Sequence, residues 1–290
     1  MRKAKILVQL DSDPQASVFD GVVAVDAGVD QLFRHHAVQP DQVRDLVYGA
    51  MFTRGVDDLH NTAVFIGGSD VARGETLLEQ VTGCFFGPMR VSVMIDANGA
   101  NTTAAAAVLA SRRHVDLAGT TATVLAATGP VGQRAVRLLA REGASMRVGS
   151  RSLERAEAVC QAVADKVEGA SLTPCQASTP QETAAALEGA SIVIAAGAAG
   201  MELLASDILR QCKTLQVAID LNAVPPAGIA GIELSDTAAQ RDGVIAYGAV
   251  GVGGTKMKIH KAAIRRLFQA NDRVLDAEEI YAIGRELEGD

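Results

Sequence analysis

The stretch that decides the fold is VLAATGPVGQRAVRLLAREGA, residues 124–144. An apolar run, a turn of small residues and an amphipathic run follow one another, the order of a strand, a phosphate-binding turn and a helix. A GxGxxG fingerprint would put its first glycine at 127, where this chain has Ala127-Thr128-Gly129-Pro130-Val131-Gly132. The glycines of such a loop allow a tight turn, close backbone approach to a pyrophosphate and close packing of helix on strand. Gly129 and Gly132 keep the last two functions. Ala127 can serve the first if its φ stays negative, because a methyl group is penalised only in the left-handed region. Pro130 suits the first helical position, where its missing N–H would have no partner. Thr128, Gly129, Pro130, Val131 and Gly132 are therefore candidate cofactor-binding residues at a helix N-terminus. An ordinary βα turn built of small residues is the bland alternative.

The end of the next strand bears on which dinucleotide is bound. NAD sites commonly carry an acidic side chain about 20 residues past the fingerprint. Here Val148-Gly149-Ser150-Arg151-Ser152 stands there instead, with Arg155 one helical turn further on. A guanidinium flanked by hydroxyls suits a 2′-phosphate, so Ser150, Arg151, Ser152 and Arg155 point to NADP, with NAD as the weaker ligand. In the alternative, Arg151 is solvated and Ser152 simply caps the next helix.

The rest of the 290 residues fits an α/β protein of two domains. Apolar side chains make up 48% and aromatic ones only 3%, so the cores are built mainly from Ala, Val, Leu and Ile. A net charge of −7 argues against nucleic acid or a membrane surface as partner. The widely spaced Cys84, Cys160, Cys175 and Cys212 read as reduced thiols of a cytoplasmic protein. The short apolar run after MRK is no signal-peptide core, and no window is long enough to span a membrane.

Strands are expected at KILVQL, TAVFIGG and RVSVMID, separated by helices at SVFDGVVAVDAG, DQVRDLVYGAMF and DVARGETLLEQVTG, then an alanine-rich helix from about Thr102. A second series begins with TATVLAA and continues through SMRVG, a strand near LTPCQA, SIVIAAG and TLQVAID. Both series predict mostly parallel sheets covered by helices. Residues 1–115 form a substrate domain, with 256–290 returning to it, and 116–255 a Rossmann-type dinucleotide-binding domain; the first crossing is expected near 112–119.

Beyond these patterns, SVFD (17–20), FIGGSD (65–70), FFGPMRVSVMIDANGANTTAAAA (85–107), ATGPVG, DLNAVPPAGIAGIE (220–233) and GAVGVGGTKMKIHKA (248–262) together resemble the NAD(P)-dependent methylene-tetrahydromethanopterin dehydrogenases of bacterial C1 metabolism. SVFD and DAEEIY lie nearest to the NADP-dependent branch that also acts on methylene-tetrahydrofolate. The resemblance extends over nearly the whole chain and departs from the family's usual loop at Ala127. It implies a pterin-binding N-terminal domain, a cleft against the cofactor domain, oxidation of a methylene-pterin to the methenyl form, and a homo-oligomer.

The chemistry so implied needs neither metal nor obligatory base. A carbon between two nitrogens loses hydride with help from their lone pairs, and the protein supplies orientation and electrostatics. Lys256 follows the small-residue run Gly251-Val252-Gly253-Gly254, which would let backbone approach a ligand, and the resemblance makes it the active-site lysine; Lys258 is a weaker candidate. Asp20, behind Ser17, can bind an amino-pyrimidinone edge or simply stabilise a helix start, and Phe19 can stack on a pterin or pack in a core. Asp96, Asn98, Asn101 and Thr102 cluster at the carboxyl end of RVSVMID, where open α/β sheets place ligands, although one of them is expected to cap a helix. Ala196, Gly197 and Asn222 end later strands and are expected to face ribose and nicotinamide, with Pro225-Pro226 forming a rigid turn. The five histidines form no metal-ligand pattern, and His260 reads as structural. Two rival readings stand beside the pterin dehydrogenase: a dehydrogenase of a small carbonyl or hydroxy acid with Lys256 as proton donor, and a non-catalytic NADP sensor.

Overall fold

The computed structural model describes residues 3–290, and strands alternate with helices through most of it. In chain order these are β1 (Ile6–Asp11), α1 (Val18–Asp26), β2 (Gln31–His35), α2 (Val43–Phe52), β3 (Thr62–Gly67), α3 (Val71–Gly83), β4 (Ser92–Ile95) and α4 (Ala100–Arg112). Then come β5 (Thr121–Leu125), α5 (Pro130–Arg141), β6 (Ser145–Ser150), α6 (Leu153–Ala164), β7 (Leu172–Gln176), α7 (Pro180–Leu187), β8 (Ile192–Ala195), α8 (Ser206–Gln211) and β9 (Val217–Asp220). The hairpin β10 (Ala239–Arg241) and β11 (Val244–Tyr247), the long α9 (Ala249–Leu267), β12 (Val274–Leu275) and α10 (Ala277–Leu287) complete the chain. Helix starts follow the side chains that cap them. Ser17 accepts from the Asp20 N–H, Asp70 from the Arg73 N–H and Ser152 from the Arg155 N–H. Gly143, just past α5, takes φ +87°, the left-handed cap that its place in the sequence predicts.

The chain divides into two compact units: one runs to Thr102 and resumes with Met257–Asp290, the other is Thr103–Lys256. The first break falls some ten residues before the 112–119 segment read from the sequence. Both crossings lie inside single continuous helices, α4 and α9, so no shift in composition marks them.

The first unit carries a five-stranded, wholly parallel sheet in the order β12-β4-β3-β1-β2. Read from β2 this is a doubly wound 2-1-3-4-5 order, whose topological switch lies between β1 and β3. All six residues of β3 are buried, and so are the four of β4. The sequence did not announce β2, an edge strand with polar, largely exposed residues that pairs only with β1.

The second unit has a seven-stranded sheet in the order β10-β11-β9-β8-β5-β6-β7, parallel except for the β10–β11 hairpin. From β7 to β11 this is the 3-2-1-4-5-6 order of dinucleotide-binding sheets, and its switch lies between β5 and β8. Pro174 is tolerated in β7 because that strand is an edge. Asp242-Gly243 forms the β10–β11 turn with both residues at positive φ, the geometry that favours this pair in two-residue hairpins. Among the described residues no helix is long and apolar enough to cross a membrane.

The end of β9 is held by a buried carboxylate. Asp220 accepts N–H groups from Gly228 at 2.7 Å, Asn222 at 3.0 Å and Ile229 at 3.1 Å, and it is 2% exposed. Removing its oxygens would leave three buried donors without an acceptor. We expect Asp220→Ala to cost about 3 kcal/mol or more in urea denaturation, since each stranded donor costs roughly 1–3 kcal/mol.

Candidate functional site

In the second unit the β5–α5 turn shows how a chain lacking the first glycine still closes the loop. The left-handed residue is Ala126, at φ +55°, and Ala127 is outside that region. Ala127 is fully buried, and its N–H donates to the Gly149 carbonyl at 2.9 Å, tying the turn to the end of β6. Gly132 is required by packing: a Cβ there would lie 2.7 Å from Ala127 Cα and 3.0 Å from the Ala126 oxygen. A Cβ at Gly129 would meet only the Ala126 and Ala196 carbonyl oxygens, each at 3.7 Å. Gly129 is the N-cap of α5 and no side chain caps that helix, so its first turn presents backbone donors and positive dipole to an anion.

A cavity of about 410 Å³ opens at this point, at the carboxyl ends of β5, β6 and β8. It is lined by Thr128, Gly129, Ser150, Arg151, Ser152, Arg155, Ala196 and Gly197, eight of the residues selected from sequence as cofactor-binding. Arg151 and Arg155 are exposed cations on its rim. Ser150 Oγ accepts from the Ser152 N–H at 3.2 Å, and Ser152 Oγ caps α6, so each hydroxyl also has a structural partner. No carboxylate lines the cavity. Small backbone-rich walls, an uncapped helix start and two guanidinium groups fit a dinucleotide carrying a 2′-phosphate.

The other selected residues of this unit do not line the cavity. Pro130 and Val131 form the first helical turn behind it, and Gly132 faces Ala127. Asn222 is 3% exposed and its amide is committed: Oδ1 accepts from Val224 and Gly200, and Nδ2 donates to the Pro226 carbonyl. It organises the turn that contains the cis Pro225-Pro226 bond. Ala177, Thr183, Met201 and Leu203 also line the cavity and were not selected. They come from the ends of other elements and from the loop after β8, which carries no pattern of its own.

In the first unit the selected polar residues gather at the carboxyl ends of β1, β3 and β4. Asp96 is buried; its Oδ1 accepts the N–H groups of Asn101 and Thr102, both at 3.0 Å, and its Oδ2 accepts the Thr102 hydroxyl at 2.6 Å. It thereby caps α4, and Asn101 donates to the Ile95 carbonyl and to Asp276. Asn98 is exposed, at φ +54°, with its N–H on the Gly68 carbonyl at 2.6 Å. Phe19 is 52% exposed, on α1.

Asp20 is half-buried in the first turn of α1. A side chain at Gly67 would meet its Oδ2 at 3.2 Å and Asp11 Oδ2 at 3.3 Å, so two carboxylates converge on the Gly67 backbone. Burial pushes the Asp20 carboxyl up to about 6; His260 opposes the rise, Asp96 adds to it, the Ser17 hydroxyl lowers it and Asp11 raises it. His260, read from the sequence as structural, is 1% exposed, with Nδ1 3.8 Å from Asp96 Oδ2 and its ring stacked on Phe65 at 5.6 Å. A histidine in an otherwise amphipathic helix carries no local signal of such a place.

Lys256 lies within α9, half-buried, and Lys258 is exposed. The glycine run before Lys256 is helix rather than ligand-facing loop. Side chains at Gly248 or Gly251 would run into the backbone carbonyls of Glu233 and Asp236, so those two glycines serve packing within the unit. Gly253 and Gly254 have open space around them.

Sheet order, switch-point cavity and cationic rim define a nucleotide-dependent dehydrogenase of the Rossmann class. Solved structures of similar fold include quinate dehydrogenase from Corynebacterium glutamicum in complex with NAD, at TM-score 0.57 and 13% identity over 98% of this chain and 99% of that one. Shikimate 5-dehydrogenase from Listeria monocytogenes, in complex with shikimate and NAD, also aligns at TM-score 0.57, with 15% identity over 97% and 96% of the two chains. Residues 18–98 match the model of the N-terminal domain of methylene-tetrahydromethanopterin dehydrogenase. Two Methylorubrum extorquens proteins align over 98% of this chain and 99% of their own length: the bifunctional protein MdtA at 42% identity, and the NAD(P)-dependent methylenetetrahydromethanopterin dehydrogenase at 30%. The chain belongs to the NAD(P)-dependent methylenetetrahydromethanopterin dehydrogenase family.

The two loop glycines should respond differently to substitution. Gly132→Ala should lose on the order of 2 kcal/mol of stability, measured by chemical denaturation, because the neighbours in its way are backbone atoms. Gly129→Ala should fold as the parent does and weaken dinucleotide binding in a calorimetric titration.

Proposed function

We propose that the protein oxidises methylene-tetrahydromethanopterin to the methenyl form with NADP, by direct hydride transfer. The observation that carries this reading is the cavity at the β5/β8 switch, with Arg151 and Arg155 in place of a carboxylate. The pterin follows from the name of the relative at 30% identity and from that of the family model matched by residues 18–98. Methylene-tetrahydrofolate is the second substrate to test, because SVFD and DAEEIY resemble the branch that also acts on it.

The nicotinamide ring, when bound, supplies the hydride acceptor. The N–H groups around Gly129 and the start of α5 hold the pyrophosphate, and Arg151 and Arg155 hold the 2′-phosphate. In the first unit the ionised Asp20 accepts from the amino-pyrimidinone edge of the pterin, and Phe19 offers a ring to stack against it. Asp96, Asn101 and Thr102 stiffen the β4–α4 turn that presents Asn98. Lys256 donates a hydrogen bond to the pterin and fixes its orientation for transfer. Cytoplasmic location and a homo-oligomeric state belong to the same proposal and are checked by fractionation and by light scattering.

The direct test is NADPH formation with each pterin, against NADP and NAD. Formation with neither pterin would overturn the reading and favour a sensor or a different substrate. Arg151→Ala should lower the NADP-to-NAD ratio of kcat/KM by roughly tenfold or more, the size of one lost charge-assisted contact. Lys256→Ala should lower kcat/KM for the pterin by about a hundredfold, as expected of a misplaced reactant, without weakening NADP binding.

Asp20 gives the reaction a pH dependence. Its carboxyl takes up a proton as the pH falls through about 6. The pterin KM should therefore rise below that pH while the KM for NADP stays level, and Asp20→Asn should abolish the difference.

A further inference from the structure

Three acidic side chains converge at the β1/β3 switch of the first unit, and they are not equivalent. Asp11 is buried and spends its oxygens on the N–H groups of Asp13 and Ser17 and on the Gln9 amide. Asp96 spends its oxygens on the start of α4. Asp20 has the Ser17 hydroxyl beside it and is raised by its own burial and by the charges of Asp96 and Asp11. The opposing charge comes from His260 on α9, enclosed by Phe65 in β3, Phe19 in α1 and Asp96 after β4. Lys256 stands four residues before His260, hence on the same face of α9.

We propose that His260 is a positioning residue for substrate: held beside Asp96 and packed against Phe19 and Phe65, its imidazolium keeps the Asp20 carboxyl ionised and oriented to accept from the amino-pyrimidinone edge of the pterin. Phe65, stacked on the imidazole, fixes the ring plane, and the shielding from water lets one positive charge act on both carboxylates. The histidine touches neither pterin nor hydride; it acts through Asp20. The identity of the ligand rests on the dehydrogenase reading, whereas the pairing of His260 with Asp20 rests on the first unit: the Asp20 carboxylate and Phe65 meet at Gly67, the imidazole stacks on Phe65, and Phe19, the neighbour of Asp20, has its ring 6.4 Å from the imidazole.

The test uses the full-length His260→Gln protein, followed by ¹³C NMR titration of labelled aspartates and by steady-state kinetics across pH. The Asp20 midpoint should move upward from about 6 by a unit or more, a tenfold change in proton affinity per unit. Near pH 5, below both midpoints, the pterin KM should rise by about tenfold, and near neutral pH by about twofold, with NADP Kd and kcat at saturating pterin staying level with the parent. An Asp20 midpoint that stays in place, or a pterin KM that changes only in step with NADP Kd, would overturn the proposal. Should His260→Gln not fold, Asp20→Asn supplies the reciprocal measurement, because coupling between two groups is mutual: the His260 imidazole must titrate at lower pH once the Asp20 charge is gone, and an unmoved imidazole overturns the proposal. Intact coupling in a protein that turns over neither pterin would overturn the substrate reading and leave the pair standing.

Discussion

The close approach of α5 to the turn after β5 is the contact on which the proposed nucleotide site depends. Gly132 lies so near the Ala127 backbone that any side chain would force the helix away from the sheet. With the helix held there, its uncapped N-terminus points across the end of β5, and the space around Gly129 stays open. Ala126 absorbs the left-handed turn that a first glycine would otherwise take one residue later. Such a residue costs of order 1 kcal/mol or more, a cost the buried Ala127 backbone bond to Gly149 helps to offset. The loop thus closes without a first glycine, with the strain on Ala126.

Both sheets follow the same rule from different orders. A doubly wound parallel sheet sends successive helices to opposite faces, and where the order reverses, two neighbouring strands leave a crevice at their carboxyl ends. In the second unit the crevice is between β5 and β8 and is walled by small residues with guanidinium groups at its rim. In the first it is between β1 and β3 and carries carboxylates. One fold principle therefore yields a crevice rimmed by cations, proposed for the dinucleotide, and one carrying carboxylates, proposed for the pterin.

The sequence made the periodic core legible and left much of the rest unreadable, for physical reasons. Buried parallel strands such as Thr62–Gly67 and helices capped by Ser17, Asp70 or Ser152 announce themselves through apolar runs and caps. The edge strand Gln31–His35 does not, because its exposure lets polar residues replace the alternation that reveals a strand. The Asp242-Gly243 hairpin was readable from its turn pair and was passed over beside the stronger signals of the parallel series. At the site, backbone-shaped features such as Gly129 and Ser150 to Ser152 follow from local order. Leu203, Met201 and His260 do not, since only tertiary folding brings them to their places. Asn222 shows the converse: a polar residue at a strand end spent wholly on shaping its own turn.

How each buried carboxylate is satisfied separates those that hold a turn together from the one proposed to meet substrate. Asp220 and Asp96 accept backbone N–H groups, so each holds a turn together. Burial raises Asp220 too, but against three backbone N–H groups; Asp20 has the Ser17 hydroxyl beside it instead, and its folded value of about 6 exceeds the ordinary 3.8, so the native state binds that proton more tightly than the unfolded chain does. Stability from this group is therefore greatest at low pH. It declines as the pH rises from about 4 towards 6, and above that the charged group is a standing cost. A residue kept only for stability would be better neutral there. The His260 charge reduces the cost without removing it, which is the arrangement expected where an ionised carboxylate is needed for a ligand that brings its own N–H donors.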